Sequence, residues 1–173
     1  MDALDCISTK LDVREFSNRP VPDGLKMKVL EAGRLTGSGM NKQHWKFILI
    51  QDPENLKQLA ADSRSGGWVH HADFAVVVLT DPRYGFHQLD AGRVVQDMQL
   101  AAWNEGVASG IFTGIDEAAL KEHLAIPAEL HVSVIAGFGY PARSLSGRKK
   151  NRLPIEELAF LERYGNPLAP ART

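Results

Sequence analysis

The sequence predicts an α+β fold in which helices cover both faces of a four-stranded sheet, giving three layers in the order α/β/α. Segments with helical and strand-like periodicity alternate along the chain, which is typical of layered folds. One long amphipathic helix lies near the middle of the sequence. The chain has 173 residues, 44% of them hydrophobic, which suffices for one domain with a sizeable core. We therefore expect a single domain over residues 1–173.

Six elements are predicted before the central helix. In chain order they are a helix over 2–9, an extended stretch over 10–16, a helix over 22–36, a strand over 45–50, a helix over 54–63 and a strand over 74–79. Pro22 and Asp23 suit the start of a helix. The run at 74–79 is continuously apolar and rich in valine, which predicts a strand buried on both faces.

The central helix is predicted within the stretch 89–110. Its apolar positions recur at the i, i+3, i+4, i+7 spacing of one helical face. They are Ala91, Val94, Val95, Met98, Ala101 and Ala102, with Leu100 and Trp103 widening the face. Gly106 can adopt the positive φ that ends a helix. Because this face is wider than one four-stranded sheet requires, we expect part of it to contact a second copy of the chain.

Three elements and an arm follow the central helix. We predict a strand over 107–115, a helix over 116–124 with Asp116 as its N-cap, and a strand over 131–139. Residues 148–173 begin with basic residues and then become partly apolar. We expect them to form a C-terminal arm that packs on the partner subunit of a homodimer.

Composition argues against several classes of protein. A net charge of −1 disfavours a general nucleic-acid binder. No apolar run approaches the length of roughly 20 residues that spans a membrane, and the N-terminus is acidic where a signal peptide is basic, so we expect a cytoplasmic protein. The single cysteine, Cys6, is predicted to be buried and structural. The six histidines lack metal-ligand spacing, so no metal site is expected.

Two basic clusters lie far apart in the sequence, Lys10 with Arg14 and Lys150 with Arg152. Alternate residues of an extended chain point to the same side, so the members of each cluster can face one anion. A phosphate attached to a polar ring system suits this combination of ammonium and guanidinium groups. A solvated surface and a nucleic-acid patch remain alternatives for either cluster.

The loop over 37–41 is rich in small residues but is not a dinucleotide fingerprint. Its G-x-G follows a helix instead of a strand, and Lys42 stands where the third glycine belongs. Ser38 and Asn41 could hydrogen-bond the edge of a heterocycle, although a plain turn explains the loop equally well. The sequence has no G-x-S-x-G elbow, and no Cys/His or Ser/His pair has supporting spacing. This combination is typical of a protein whose cofactor performs the chemistry.

The chain resembles the nitroreductase-like FMN-dependent oxidoreductases over nearly its whole length, as a short, compact member. The motifs that carry the resemblance are K-x-D-x-R-x-F over 10–16, N-x-Q-x-W-x-F over 41–47, D-A-G…Q-D-M-x-L-A-A in the central helix, G-V-A-S-G over 106–110 and G-Y-P over 139–141. The resemblance implies a mixed, mainly antiparallel sheet around the central helix. It also implies a domain-swapped homodimer with FMN at the interface.

The resemblance also implies a set of cofactor-binding positions. They are Lys10, Asp12, Arg14, Ser38, Gly39, Asn41, Thr113, Gly114, Lys150 and Arg152. Lys10, Lys150 and Arg152 match the positions that meet the FMN phosphate in this family, and Arg14 matches a position beside the pyrimidine side of the ring. Asp12 stands where serine is commoner.

Two further groups of positions follow from the same resemblance. The loop with Ser38, Gly39 and Asn41 would come from the partner subunit. The backbone amides of Thr113 and Gly114 would approach the reducible ring nitrogen. No side chain is implied as a catalyst, since the flavin performs the chemistry.

The implied activity is ping-pong hydride transfer from NADH or NADPH through FMN to a nitroaromatic, a quinone or a similar flat acceptor. One alternative is a non-catalytic dimer that binds or stores flavin. Another is a specialised branch, such as flavin fragmentation or reductive dehalogenation, which would need a lid between the strand over 74–79 and the central helix. We identify no such insertion in the sequence.

Overall fold

A computed structural model of the protein describes residues 1–148 and 150–168. The elements in chain order are α1 (Ala3–Thr9), α2 (Asp23–Leu35), β1 (Lys46–Ile50), α3 (Pro53–Ala61), β2 (Phe74–Thr80), α4 (His87–Asn104), β3 (Ala108–Phe112), α5 (Glu117–His123) and β4 (His131–Gly139). Short 3₁₀ turns occur at Gly39–Asn41, Gly67–His71 and Ile155–Glu157. The predicted order of helices and strands is confirmed.

The four strands form one sheet in the order β1-β2-β4-β3, and every neighbouring pair is antiparallel. Val77 of β2 pairs with Ile48 of β1 and with Ile135 of β4. β2 is buried along its whole length, as its continuous apolar run predicts. An isolated parallel bridge joins Asp12 to Ser109 of β3, so the N-terminal stretch lies against the edge strand of a sheet that is itself antiparallel throughout.

Helices cover both faces of this sheet, which confirms the three layers. α2 and α4 pack together on one face, where Val94, Met98 and Phe138 belong to one core cluster. α3 and α5 contribute Leu59 and Leu120 to the core cluster on the other face. Because a core packs on each face of the sheet, the ends of β3 and α4 hold the neighbouring loops in defined positions.

The caps of two helices follow the sequence prediction. The Asp116 carboxylate accepts a hydrogen bond from the Ala119 N–H at 3.2 Å and caps α5. α4 ends at Asn104, and Gly106 has a φ of 77°, the left-handed conformation that glycine adopts most readily. β3 stops at Phe112, three residues before the predicted end, because the chain leaves the sheet and Ile115 bridges to Ser63 instead.

α4 differs from its prediction in the composition of its buried face. Besides the predicted apolar residues, Asp90 and Gln99 are buried at 1% and 2% exposure. Leu100, Ala101 and Trp103 are only partly buried, so the expected contact of this margin with a second copy stays a prediction.

The described part of the arm, Arg148 and 150–168, is mainly exposed and contains one 3₁₀ turn, while Lys149 and 169–173 lie outside the described residues. Cys6 is buried with a free thiol. Within 1–148 and 150–168, no helix has the length and apolarity to cross a membrane. The same part of the chain holds no group of three or more side chains suited to a metal ion.

Candidate functional site

The N-terminal stretch is fixed against the start of β3. The Val13 N–H donates to the Ser109 carbonyl oxygen at 2.8 Å. A Cβ atom on Gly110 would lie 2.6 Å from the Val13 carbonyl oxygen, so this approach requires glycine. Phe16 lies over Gly139 in the same way, 3.0 Å from the position of a Cβ atom. The side chains of this stretch therefore project from a rigid backbone.

Lys10 and Asp12 form the first part of the site. The Lys10 Nζ lies 2.7 Å from Asp12 Oδ1. Gln99 Nε2 donates to the same carboxylate oxygen at 3.2 Å and to Ser109 Oγ at 3.0 Å. Gln99 and Ser109 are buried, whereas the Asp12 side chain is 58% exposed. This network anchors a lysine ammonium and a carboxylate at the edge of the sheet.

Lys150 and Arg152 lie near Lys10, so the structure brings the second basic cluster to one member of the first, while Arg14 lines the smaller cavity nearby. Burial lowers the pKa of Lys150, the neighbouring charges of Arg152 and Lys10 lower it further, and Asp12 opposes this shift. The Lys150 ammonium also donates to the Ile7 carbonyl oxygen. A cationic cluster crowded enough to depress a lysine pKa is one that an added anion would stabilise.

Two cavities flank this cationic cluster. The smaller, of about 280 Å³, is lined in part by Asp12, Arg14 and Arg148. The larger, of about 690 Å³, is lined in part by Trp103, Lys150 and again Arg148. Arg148 therefore lies at both cavities and belongs to the candidate site. The sequence shows it as one more residue in a basic run, without a partner that would mark it out.

Arg14 lies beside Trp68, with the guanidinium carbon 5.9 Å from the centre of the indole ring. Trp68 contacts Phe112 edge to face, with ring centres 5.7 Å apart, and its indole N–H is buried without a hydrogen-bond partner among the described residues. The sequence places Trp68 just before β2 but gives no sign that it supports a site residue.

Thr113 and Gly114 follow the end of β3. The Gly114 carbonyl oxygen accepts the N–H groups of Arg64 and Ser65 at 2.7 and 3.3 Å. A Cβ atom on Gly114 would lie 2.5 Å from Ser65 Oγ, so the tight turn favours glycine. At about 3.3 Å per residue, Thr113 lies roughly 13 Å along the chain from Ser109. The two predicted ends of the site are thus separated along one strand.

The loop with Ser38, Gly39 and Asn41 does not meet the cationic cluster within the chain. The Gly39 N–H donates to Asp90 Oδ2 at 2.9 Å, in the first turn of α4. Trp103, in the last turn, donates to Thr9 Oγ1 at 3.0 Å, next to Lys10. At 1.5 Å per residue these two positions are about 20 Å apart along the helix. One chain therefore brings together only part of the predicted site.

The chemistry of the donor set fits a phosphate ester. Four cations form the donor set: Lys10, Lys150 and Arg152, whose charges act on one another, and Arg148, which lines both cavities. The Asp12 carboxylate acts on the same group, and the Glu15 carboxylate lines the smaller cavity, where it pairs with Arg143. Ammonium groups bind phosphate as point charges and guanidinium groups bind it through two parallel hydrogen bonds. The cavities beside the cluster leave room for the remainder of an elongated ligand such as FMN.

Comparison with known proteins gives consistent results. A model of the nitroreductase family matches residues 7–82 and 62–140. A protein of Archaeoglobus fulgidus described as an NADH dehydrogenase/NAD(P)H nitroreductase is 31% identical over 149 residues, covering 81% of this chain and 86% of that protein.

Solved structures agree. A protein of Desulfovibrio desulfuricans described as a nitroreductase in complex with FMN has a TM-score of 0.84 and 28% identity, covering 95% of this chain and 99% of that one. A Bacteroides thetaiotaomicron protein described as an NADH dehydrogenase/NAD(P)H nitroreductase has a TM-score of 0.86 at 24% identity, over 94% and 98% of the two chains. The fold implied by the resemblance is confirmed.

Proposed function

Since this chain belongs to the nitroreductase family, we propose that it is an FMN-dependent NAD(P)H oxidoreductase that reduces nitroaromatics, quinones or similar flat acceptors. The observation that carries the proposal is the cationic cluster of Lys10, Lys150 and Arg152 beside two cavities. Support also comes from the similar Desulfovibrio desulfuricans structure, which holds FMN. The name of the Archaeoglobus fulgidus relative includes both NADH and NAD(P)H.

Bound FMN would supply ping-pong hydride transfer from NAD(P)H to the acceptor. The cationic cluster would hold the phosphate and fix the position of the cofactor. Arg14 would lie beside the ring, where its positive charge stabilises the negative charge of a reduced flavin. The amide at Gly114 would donate a hydrogen bond toward the reducible ring nitrogen, from a turn fixed by Arg64 and Ser65.

The proposed active form is a domain-swapped homodimer in which a second copy supplies the loop with Ser38, Gly39 and Asn41. This proposal accounts for the position of that loop, which lies about 20 Å along α4 from the cationic cluster of its own chain. Residues 81–86 alone connect β2 to α4, so no lid covers the site at that connection.

The test is flavin binding followed by reduction. The purified full-length chain is incubated with FMN, passed over gel filtration and measured for flavin absorbance. We expect bound flavin, anaerobic bleaching by NADH or NADPH, and recovery of absorbance on adding a quinone such as menadione or a nitroaromatic such as nitrobenzoate. A protein that emerges without flavin would refute the proposal.

The phosphate position has its own test. The double variant Lys150→Ala, Arg152→Ala removes two of the four cations and should weaken FMN binding at least about 100-fold, since each charge-assisted contact contributes about 1.5–3 kcal/mol. Lys28→Ala with Lys57→Ala removes two exposed lysines from α2 and α3 and serves as the control, with affinity unchanged. Equal FMN affinity in both double variants would show that Lys150 and Arg152 are ordinary surface residues that do not bind the phosphate.

The Lys10–Asp12 pair favours one second candidate, a dimer that binds or stores flavin without catalysing turnover. Asp12 neutralises part of the charge available to the phosphate, so the site differs from one built only of cations. A yellow protein that neither NADH nor NADPH bleaches anaerobically would favour this candidate over the oxidoreductase.

A further inference from the structure

The loop between α2 and β1 adopts a backbone conformation that its own residues disfavour. Met40, Asn41 and Gln43 have φ values of 49°, 51° and 47°, although none of them is glycine. Asparagine tolerates the left-handed region, whereas methionine and glutamine seldom adopt it. Such a conformation persists only where surrounding contacts determine it.

The contacts that determine it converge on Asp90. Its Oδ2 atom accepts the Gly39 N–H at 2.9 Å and lies 3.1 Å from Nε2 of His44. Arg93 Nη1 lies 3.5 Å from the other carboxylate oxygen. Asp90 is 1% exposed and lies in the first turn of α4, where the helix dipole stabilises a negative charge. Asp90 is thus a buried carboxyl group with a donor at each of its two oxygens.

The proton on His44 can be assigned from its second contact. The Asp81 N–H donates to His44 Nδ1 at 3.4 Å, so that nitrogen is the acceptor and Nε2 carries the proton. His44 Nε2 therefore donates to the Asp90 carboxylate. The ring of Phe86 closes the arrangement, because a Cβ atom on Gly39 would lie 2.6 Å from it.

The loop itself is closed by two further bonds. The Ser38 side-chain oxygen accepts the Gln43 N–H at 2.9 Å, and the Ser38 carbonyl oxygen accepts the Asn41 N–H at 3.0 Å. Because Gly39 lies inside this closed loop, fixing its N–H to Asp90 fixes the loop as one unit on the end of α4.

We propose that Asp90 and His44 are positioning residues that hold this loop in the shape in which Ser38, Gly39 and Asn41 contact the flavin of a second copy. The identity of the ligand rests on the proposed function, whereas the anchoring is internal to one chain. Neither Asp90 nor His44 touches the cationic cluster, so they act through the loop.

The first test measures amide hydrogen exchange in the flavin-free, full-length protein. In Asp90→Ala and in His44→Leu, the amide hydrogens of Gly39 and Gln43 should exchange at least about tenfold faster than in the wild type, because local opening of the loop becomes easier. The exchange rates of these amides in His44→Gln should stay close to those of the wild type, since a glutamine amide can place a donor near the position of Nε2.

The second test measures FMN affinity by flavin fluorescence, together with the visible circular dichroism of the bound flavin. Asp90→Ala and His44→Leu should weaken binding about tenfold, with a changed dichroism band, while His44→Gln should keep the affinity within about threefold. The matched control is Asp73→Ala. Asp73 Oδ1 accepts the Val21 N–H at 3.1 Å and Oδ2 pairs with Lys26, so its removal also deletes a loop-holding carboxylate, and FMN affinity should not change.

The outcomes separate this inference from the proposed function. Unchanged exchange in Asp90→Ala overturns the inference, as does faster exchange with wild-type FMN affinity. A wild-type protein that binds no FMN rejects the proposed function, and the exchange rates alone then decide whether Asp90 holds the loop, with faster exchange supporting the anchoring and equal rates overturning it.

Discussion

Single charged residues determine how the candidate site receives an anion. The Asp12 carboxylate acts on the group formed by Lys10, Lys150 and Arg152, and it lies 2.7 Å from the Lys10 ammonium. It repels a phosphate while also holding Lys10 in place, and Gln99 holds Asp12 in turn. The balance between repulsion and positioning can be measured with an isosteric substitution.

We predict that Asp12→Asn strengthens FMN binding about fivefold. The substitution removes one negative charge, keeps an oxygen acceptor for Gln99 and frees the Lys10 ammonium for the phosphate. The carboxylate is 58% exposed, so solvent limits the repulsion that is relieved to about 1 kcal/mol. Dissociation constants measured at low and high salt should show a smaller gain at high salt.

Glu54→Gln, an exposed carboxylate in the first turn of α3, is the control for this measurement and should leave the affinity unchanged. Weaker binding by Asp12→Asn would contradict the prediction and would show that the positioning of Lys10 outweighs the repulsion.

Lys150 gives the site a predicted pH dependence. Burial and the charges of Arg152 and Lys10 lower its pKa from the ordinary value of 10.5, so FMN affinity should begin to fall below that pH as the ammonium loses its proton. Without flavin, the unfolded chain holds this proton more tightly than the folded chain, so stability rises as pH increases between the folded and the unfolded pKa. Titrating the dissociation constant from neutral to alkaline pH measures the fall.

Lys150→Arg is the diagnostic variant for this pH dependence, because a guanidinium stays protonated throughout the range. The alkaline fall in affinity should disappear in Lys150→Arg. An unchanged fall would assign the titration to another group.

The sequence predicts the cationic residues of the site better than it predicts the buried polar residues that hold them in place. Alternate spacing identifies Lys10 with Arg14 and Lys150 with Arg152, and the structure brings Lys10 near Lys150 and Arg152. The apolar periodicity of α4 gives no reason to expect a buried glutamine at position 99. The burial of Gln99 depends on its hydrogen bonds to Asp12 and Ser109, which are distant in sequence. A buried polar residue becomes recognisable only when its partners are known.

At the scale of elements, the contact between α2 and α4 fixes the end of α2 from which the loop with Ser38 departs. Gly33 faces Met98, and a Cβ atom there would overlap the methionine methyl group. We predict that Gly33→Ala lowers the free energy of unfolding by about 1–3 kcal/mol, the usual cost of overpacking. Denaturant unfolding measures this change.

Gly24, on the same helix, has no atom within 4 Å of the position that a Cβ atom would take and provides the matched control. Gly24→Ala should be neutral or stabilising by up to about 0.5 kcal/mol, because alanine has the higher helix propensity. Equal changes in the free energy of unfolding for both substitutions would show that the contact with Met98 does not decide the effect.

The elements were predictable because their periodicity reflects burial on one or both faces. β2 shows this most clearly, since all of Phe74–Thr80 is buried. The end of β3 was not predictable in the same way, because Ile115 continues the apolar run and packs against the core after the chain has left the sheet. An apolar run therefore predicts which residues are buried. Where a strand ends depends on whether its backbone still bonds to a neighbouring strand.

At the scale of the whole molecule, apolar side chains on the arm lack cover within the described part of the chain. Five of its large apolar residues are at least half exposed: Leu153, Ile155, Leu158, Leu161 and Tyr164. Covering each one would contribute up to about 1.5–3 kcal/mol, which favours an arm that packs on another copy. The same assembly would bring the loop with Ser38 to a cationic cluster that it does not reach in its own chain.

We therefore predict that the double variant Leu153→Asp, Leu158→Asp separates the dimer. Sedimentation should give about twice the chain mass of 19.0 kDa for wild type and the single-chain mass for the variant, because charged side chains oppose burial in an interface. FMN affinity should fall with dissociation, since each site would lose the loop with Ser38. Glu156→Ala with Glu157→Ala changes the same arm without touching its apolar residues and should leave both measurements unchanged. A wild-type protein that sediments as a single chain, or an aspartate variant that remains dimeric, would contradict the proposed role of the arm.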